Sequence, residues 1–180
     1  MTWDAHHRRG EVLRAVIDEA NARRDGALPL GVPGVDRAFA DDFDLIAALQ
    51  LRWHTRLAGH IERALMDQPM DLESAVLSGW RATAKELGGI RAILDAYTEA
   101  PTSAKMGAAL GRAREKEWML MAAMAGKASA DDARGARVGR RLEEQARASY
   151  DRVLTVAPRH RGPERATGSL IGRLRARLAA

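Results

Sequence analysis

Cysteine is absent from the chain, and phenylalanine and tyrosine occur only twice each among 180 residues. The lack of cysteine excludes disulfide bonds, thiolate metal sites and cysteine nucleophiles. β-Branched and aromatic residues, which favour strands, are scarce throughout, so we predict no strand. No apolar run approaches the ~20 residues that a membrane-spanning helix needs.

The residues that are present indicate a globular, helical protein. Hydrophobic residues make up 46% of the chain and charged residues 29%, a balance typical of folded rather than disordered proteins. A length of 180 residues fits one domain with a substantial core. The opening residues, MTWDAHH, lack the charged and then apolar order of a signal peptide. We therefore expect a cytoplasmic protein.

The net charge of +5 is confined to the C-terminal end. Residues 159–180 contain six arginines and one glutamate, so all the preceding residues sum to zero. Only four of the 29 basic residues are lysines, and we attribute this excess of arginine to a GC-rich genome rather than to phosphate binding. Attraction to nucleic acid is therefore expected of the tail alone.

The first part of the chain combines a helical pattern with a loop pattern. Apolar residues spaced by three and four predict a helix over 3–24. Residues 25–35 hold two prolines and three glycines, which predict a loop. Because this loop is unusually apolar, we expect Leu28, Leu30 and Val32 to pack onto the helices.

Start and stop signals divide the rest of the chain into four more long helices. The predicted N-caps are Asp41, Asp71 and either Thr102 or Ser103. Ser129-x-x-Asp132 resembles a capping box for a last long helix that ends near Val156. Gly88-Gly89 lies in the middle of the third helix, where we predict a kink or a break.

These segments together predict an all-α fold, an up-down antiparallel helical bundle of about five main helices plus a short C-terminal helix. We assign residues 1–156 to the bundle. Residues 157–180 are a Pro/Gly/Arg linker and a short basic amphipathic tail, in which 169–180 form the extra helix.

The residue patterns that mark a metal site or an enzyme are missing from the sequence. A helix binds a metal through residues three or four apart, as in Glu-x-x-His or His-x-x-x-His, and neither pattern occurs. His54 and His60 are six residues apart and point in different directions. No Gly-x-Ser-x-Gly turn, phosphate-binding glycine loop or dinucleotide motif is present. We expect neither a metal nor a cofactor, and the sequence gives no support for catalysis.

Glu117 is the most unusual residue, because the helix period places it on an apolar stripe. A buried carboxylate destabilises a fold unless it is paired. One explanation is a salt bridge to an arginine such as Arg56 or Arg81, or a position at the edge of the stripe. The other explanation is a ligand pocket, whose candidate lining residues are Trp53, His60, Trp80 and Glu117.

The number and position of the tryptophan and methionine residues lead us to expect a binding partner. The chain has four tryptophans and seven methionines against two phenylalanines. Packing explains Trp53 and Trp80, but Trp118 lies off the centre of its stripe, and the methionines of residues 119–124 suit adaptable packing at a dimer seam. We predict a non-catalytic interaction or regulatory module that self-associates or binds a protein partner. A small-molecule-binding bundle with an internal pocket is the alternative.

The tail points to a different kind of partner. Its candidate binding residues are Arg159, Arg161, Arg165, Leu170, Ile171, Arg173, Leu174, Arg175 and Arg177. Five net positive charges without interleaved aromatic residues predict weak, sequence-independent binding to nucleic acid at most. The run GSLIGRLR over 168–175 resembles the C-terminal targeting peptides of encapsulin cargo proteins, with one residue fewer between Leu170 and Ile171. This resemblance implies a cargo-type protein.

Deletion of residues 159–180 is expected to abolish retention of the protein on a polyanion column, because the deleted segment carries all of the net charge. Salt elution of the full and the shortened chain from heparin measures the effect. Circular dichroism provides the control that the remaining helices are intact. Equal retention of the two chains would contradict the prediction that the tail attracts anions.

Overall fold

The structure, a computed structural model, describes residues 3–129 and 134–156, with side-chain environments for 7–129 and 134–150. These residues form seven helices: α1 (Trp3–Arg23), α2 (Val35–Ala38), α3 (Asp42–Asp67), α4 (Leu72–Glu86), α5 (Gly88–Glu99), α6 (Ala104–Met124) and α7 (Gly135–Val156). No strand occurs within the described ranges. The predicted all-α fold is confirmed.

The predicted main helices correspond to α1, α3, the pair α4 and α5, α6, and α7. The chain divides into two units after Tyr150, and the packing reported below is that of the first unit. The up-down antiparallel connectivity and the boundary after residue 156 stay predictions. The predicted helix over 169–180 and most of the capping box Ser129-x-x-Asp132 lie outside the described residues.

Three side chains cap helices at predicted positions, with Ser103 rather than Thr102 as the third. In each case the side-chain oxygen accepts a hydrogen bond from a backbone N–H three residues later: Asp41 from Asp44 (2.8 Å), Asp71 from Ser74 (3.0 Å) and Ser103 from Met106 (3.2 Å). Each cap satisfies an N–H that has no partner inside its helix, a contribution of about 1 kcal/mol.

The predicted interruption at Gly88-Gly89 is a complete break, with Leu87 between α4 and α5. Asn21 of α1 bridges the broken ends, since its amide donates to the carbonyl of Glu86 (3.0 Å) and accepts from the N–H of Gly89 (2.9 Å). A Cβ atom at Gly89 would overlap the backbone of Ala20. Glycine therefore allows α1 to approach the start of α5 closely, and Asn21 satisfies two backbone groups that the break leaves without helical partners.

The core is organised around α3, which contacts α1, α4, α5 and α6. Its buried stripe is Leu45, Ile46, Leu49, Trp53, Leu57 and Ile61. The apolar loop before α2 joins this core only in part. Leu28 is buried and Val32 packs against the core, but Leu30 is 52% exposed, contrary to our expectation. Leu30 lies at the tip of a turn that the N–H of Val32 closes on the carbonyl of Pro29, and the tip faces solvent.

Helix α7 packs closely against α6 at a glycine. A Cβ atom at Gly139 would overlap the carbonyl group of Trp118. C-terminal to this contact, α7 buries Leu142, Glu143 and Ala146. Gly139 therefore brings the thin apolar stripe of α7 into the core and places Glu143 close to Trp118.

Gly139→Ala is expected to destabilise the fold by about 1–3 kcal/mol, because the added methyl group has no space against the α6 backbone. Urea unfolding followed by circular dichroism measures the change. Gly111→Ala on α6 is the matched control: its Cβ meets no atom within 4 Å, so better helix propensity is expected to stabilise the fold by up to about 1 kcal/mol. Equal effects of the two substitutions would contradict a tight α6–α7 contact.

Candidate functional site

Two residues of the predicted pocket, Trp53 and Trp80, lie together in the core. Their ring centroids are 6.1 Å apart at an interplanar angle of 72°, an edge-to-face contact. Trp80 makes a second edge contact with Tyr150 of α7 at 6.4 Å. Trp53 and Trp80 are 0% and 2% exposed. The aromatic part of the predicted pocket is therefore closed to solvent.

Glu117 is also inside the core, being 1% exposed, and its nearest cation is Arg91 of α5. Arg91 Nη1 lies 3.6 Å from Glu117 Oε2, which is too long for a hydrogen bond. The guanidinium of Arg91 lies 5.0 Å from the ring centroid of Trp53. The predicted partners Arg56 and Arg81 were wrong, because Arg56 pairs with Glu86 and Arg81 hydrogen-bonds to serines.

His60 does not join Trp53, Trp80 and Glu117. Its Nε2 atom lies 2.8 Å from Oε2 of Glu86, and Arg56 Nε donates to the other oxygen of Glu86 at 2.8 Å. Burial raises the pKa of the Glu86 carboxyl, but the hydrogen bonds from His60 and Arg56 outweigh burial and leave that pKa below its usual value. His60 therefore belongs to a half-buried polar group between α3 and α4.

Glu117 belongs to a larger set of charged side chains that we call the ionic cluster. The ionic cluster consists of Arg91 and Asp95 on α5, Arg114 and Glu117 on α6, and Glu143 and Arg147 on α7. Its three arginines balance its three carboxylates. Trp53, Trp80 and Trp118 surround it, and each faces one arginine, Arg91 at 5.0 Å, Arg147 at 5.2 Å and Arg114 at 5.4 Å respectively.

Arg147 is the most fully bonded arginine of the ionic cluster. Its guanidinium donates to both oxygens of Asp95, at 2.8 and 3.0 Å, and twice to Glu143, at 2.9 and 2.6 Å. Glu143 also accepts the indole N–H of Trp118 at 2.6 Å. Charge-assisted bonds of this number and geometry fix α7 against α5 and α6.

Other polar atoms of the ionic cluster are buried without a hydrogen-bond partner. They are both carboxyl oxygens of Glu117, Nε and Nη1 of Arg91, and Nε of Arg114. An unmade hydrogen bond of a buried polar group costs about 1–3 kcal/mol. The ionic cluster therefore has a well-bonded part around Arg147 and an under-bonded part around Glu117 and Arg114.

The carboxyl groups of the ionic cluster differ in the direction of their pKa shifts. Burial raises the pKa of Glu117, and the nearby Glu143 adds to the rise, while Arg91 opposes it. Burial also raises the pKa of Asp95 and Glu143, but their arginine neighbours, with the Trp118 N–H at Glu143, outweigh burial and leave both values lowered. Glu117 is thus the carboxyl that holds a proton most readily.

Sequence reasoning identified Glu117 but missed the residues that meet it. Arg91 lies between Ile90 and Ile93, two positions that are fully buried or nearly so, and this apolar flanking was the available signal. Glu143 and Arg147 are four residues apart on α7, the spacing of an intrahelical ion pair. That spacing by itself does not distinguish a buried pair from a surface pair.

The surface of α3 carries a second candidate site. The α3/α6 groove, of about 290 Å³, is lined mainly by apolar residues that include Phe43, Ile46, Leu51, Leu110 and Ala113. On the other side of Leu51, the α1/α3 groove has a volume of about 560 Å³ and includes Gly10, Leu13, Ala47 and Ala48. Leu51 is 66% exposed between the two grooves.

The candidate binding residues of the tail, Arg159 to Arg177, lie outside the described residues. The encapsulin-like segment lies there too, so the nucleic-acid and cargo hypotheses stay predictions. Within the described ranges, no helix has the length and apolarity needed to cross a bilayer. The same residues hold no group of three or more histidine, aspartate or glutamate side chains placed to bind a metal ion.

Comparisons with protein-family models, with curated proteins and with solved structures found no significant match to this chain.

Glu117→Gln is expected to change how stability depends on pH. A carboxyl whose pKa rises on folding stabilises the folded state when protonated, so the wild type loses stability relative to the Gln variant as pH rises from about 4 through the raised pKa. The pKa values of Asp95 and Glu143 shift in the opposite direction, and both chains contain these two residues.

Urea unfolding of the two chains between about pH 4 and pH 8 measures this difference in unfolding free energy. Glu115→Gln, at an exposed position of α6, controls for replacing any glutamate on this helix. A difference between Glu117→Gln and wild type that stays constant with pH would contradict the raised pKa.

Proposed function

We propose that this chain is a non-catalytic helical interaction module that self-associates through the outer face of α3. The observation that carries the proposal is the exposure of Leu51 between two grooves. A single exposed leucine is ordinary, but a leucine that separates two concave, partly apolar surfaces is typical of an interface. A chain without cysteine suits a reducing compartment, and we propose that the module is cytoplasmic.

Leu51 is part of a row of side chains that we call the α3 ridge, formed by Ala47, Leu51, Thr55 and Gly59 at intervals of four residues. Ala47, Leu51 and Thr55 are exposed, and a Cβ atom at Gly59 would meet nothing within 4 Å. Rows at this spacing pack into the groove of a neighbouring helix, with an interaxial angle of about −50°. The small residues of the ridge permit close approach of a second helix.

A second copy of this chain is the occupant that these features support. Leu51 protrudes, and the α3/α6 groove beside it is a depression on the same surface. Two copies related by a twofold axis contact each other through one identical patch, which must therefore contain both a protrusion and a depression. We infer that Leu51 of each copy enters the α3/α6 groove of the other.

The interior observations favour this interface over the internal ligand pocket. Trp53, Trp80 and Glu117 are buried, and His60 is bound to Glu86. Met121 is fully buried, so its side chain is not available for contact at a dimer interface. The apolar surface that remains open on the long helices includes the α3 ridge.

Leu51→Glu is expected to convert a dimer into a monomer of 19.7 kDa, because a charged side chain at the centre of an apolar contact is left buried and unpaired. Light scattering coupled to size exclusion measures the mass at several concentrations. Met70→Glu, at a position that is 95% exposed outside the α3 ridge, is the matched control and is expected to dimerise like the wild type. A wild-type chain that is monomeric at its highest soluble concentration would refute the proposal.

A further inference from the structure

A third groove lies between α6 and α7 and has a volume of about 310 Å³. Its lining residues are Arg114, Trp118, Arg140, Glu143, Glu144 and Arg147. Three arginines therefore face two glutamates around one aromatic ring. This α6/α7 groove shares no lining residue with the two grooves beside Leu51, so it is independent of the proposed dimer interface.

Most of the charged groups in the α6/α7 groove already have partners. Glu143 accepts from Arg147 and from the indole N–H of Trp118, in both cases at 2.6 Å. Arg147 also donates to Asp95. Arg140 donates to Glu144 at 2.9 Å on the exposed edge of the groove. Glu143 and Arg147 therefore use most of their hydrogen-bonding capacity within the protein, whereas Arg140 and Glu144 share one hydrogen bond on the surface.

Arg114 differs from the other charged lining residues, because its guanidinium has no hydrogen bond to a described residue. Its Nη2 atom lies 3.5 Å from Oε2 of Glu143, beyond good hydrogen-bonding distance, and its Nε has no partner. The guanidinium lies 5.4 Å from the ring centroid of Trp118, which holds it in place by a cation–π contact. The side chain is 29% exposed. The guanidinium of Arg114 is thus positioned at the groove while it makes no hydrogen bond to any described residue.

We propose that the α6/α7 groove binds a small oxyanion, a carboxylate or a phosphate group, through the guanidinium of Arg114 next to Trp118. The planar guanidinium matches such groups because two parallel N–H donors reach two oxygens at once. Glu143 does not fill this role, since its oxygens already serve Arg147 and Trp118. Because Nε is buried, a bound oxyanion would accept hydrogen bonds from the two Nη groups of Arg114.

The charge balance of the ionic cluster favours an anion at Arg114 when Glu117 is protonated. The ionic cluster has three arginines and three carboxylates, and burial raises the pKa of the Glu117 carboxyl. When Glu117 is protonated, the ionic cluster has one positive charge in excess. An anion at Arg114 restores neutrality in a partly buried site, where an unbalanced charge is destabilising.

Titration of the 15N-labelled protein with benzoate and, separately, with inorganic phosphate tests the proposal. The expected result is a saturable shift of the Trp118 indole and Arg114 Nε–H signals, with a dissociation constant of about 0.1–1 mM. A response to benzoate alone identifies an organic acid as the ligand class, and a response to phosphate alone identifies a phosphate compound. Neither anion shifting these signals would overturn the proposal.

Substitutions then locate the binding group. Arg114→Gln is expected to weaken binding at least about tenfold, because hydrogen bonds to a charged group are lost. Arg114→Lys retains the charge but lacks the planar fork, so intermediate affinity is expected even where the Gln variant folds poorly. Arg112→Gln, at an exposed position on the same helix, is the matched control and should bind like the wild type. Unchanged binding by Arg114→Gln, or an equal loss in Arg112→Gln, would disprove a specific site.

Discussion

The packing of α5, α6 and α7 depends on the guanidinium of Arg147. It donates to both oxygens of Asp95 on α5 and to Glu143 on its own helix, and it lies over Trp80 of α4. Glu143 in turn accepts the indole N–H of Trp118 on α6. Because a buried charge that loses its partner is strongly destabilising, other rotations or registers of these helices are penalised. Gly139 permits the close approach that this geometry requires.

The surfaces available for binding a partner are those where charged side chains lack good partners or apolar side chains are left uncovered. Inside the bundle, each arginine of the ionic cluster faces a tryptophan, and the three positive charges are balanced by three carboxylates. Arg114 is the arginine of the ionic cluster with the longest distance to its nearest carboxylate, 3.5 Å, and it lies at the edge of a groove. Leu51 is its apolar counterpart, a leucine that the described helices leave uncovered. An anion and a second copy of the chain are the partners that we propose for these two positions.

Sequence patterns predicted correctly those features that depend on interactions between residues close together in the chain. Asp41, Asp71 and Ser103 cap helices because their oxygens reach an N–H three residues later, and the glycine pair ended α4 because glycine weakens a helix interior. The prediction that Leu30 is buried was wrong. Its side chain is apolar, but the turn around it points outward.

The sequence showed the unusual position of Glu117 but not its contact with Arg91, and the predicted partners Arg56 and Arg81 were wrong.

The sequence by itself determined the all-α class, most of the helix limits and the break before Gly88. These features follow from capping, periodicity and backbone freedom, each of which acts within about one turn of helix. Only the tertiary structure decided that Glu117 meets Arg91, that His60 turns to Glu86, and that Leu51 stays in solvent. The periodicity of a helix defines which residues share a face. Which face meets which neighbour depends on how the helices rotate and cross, and that is settled only when all of them pack together.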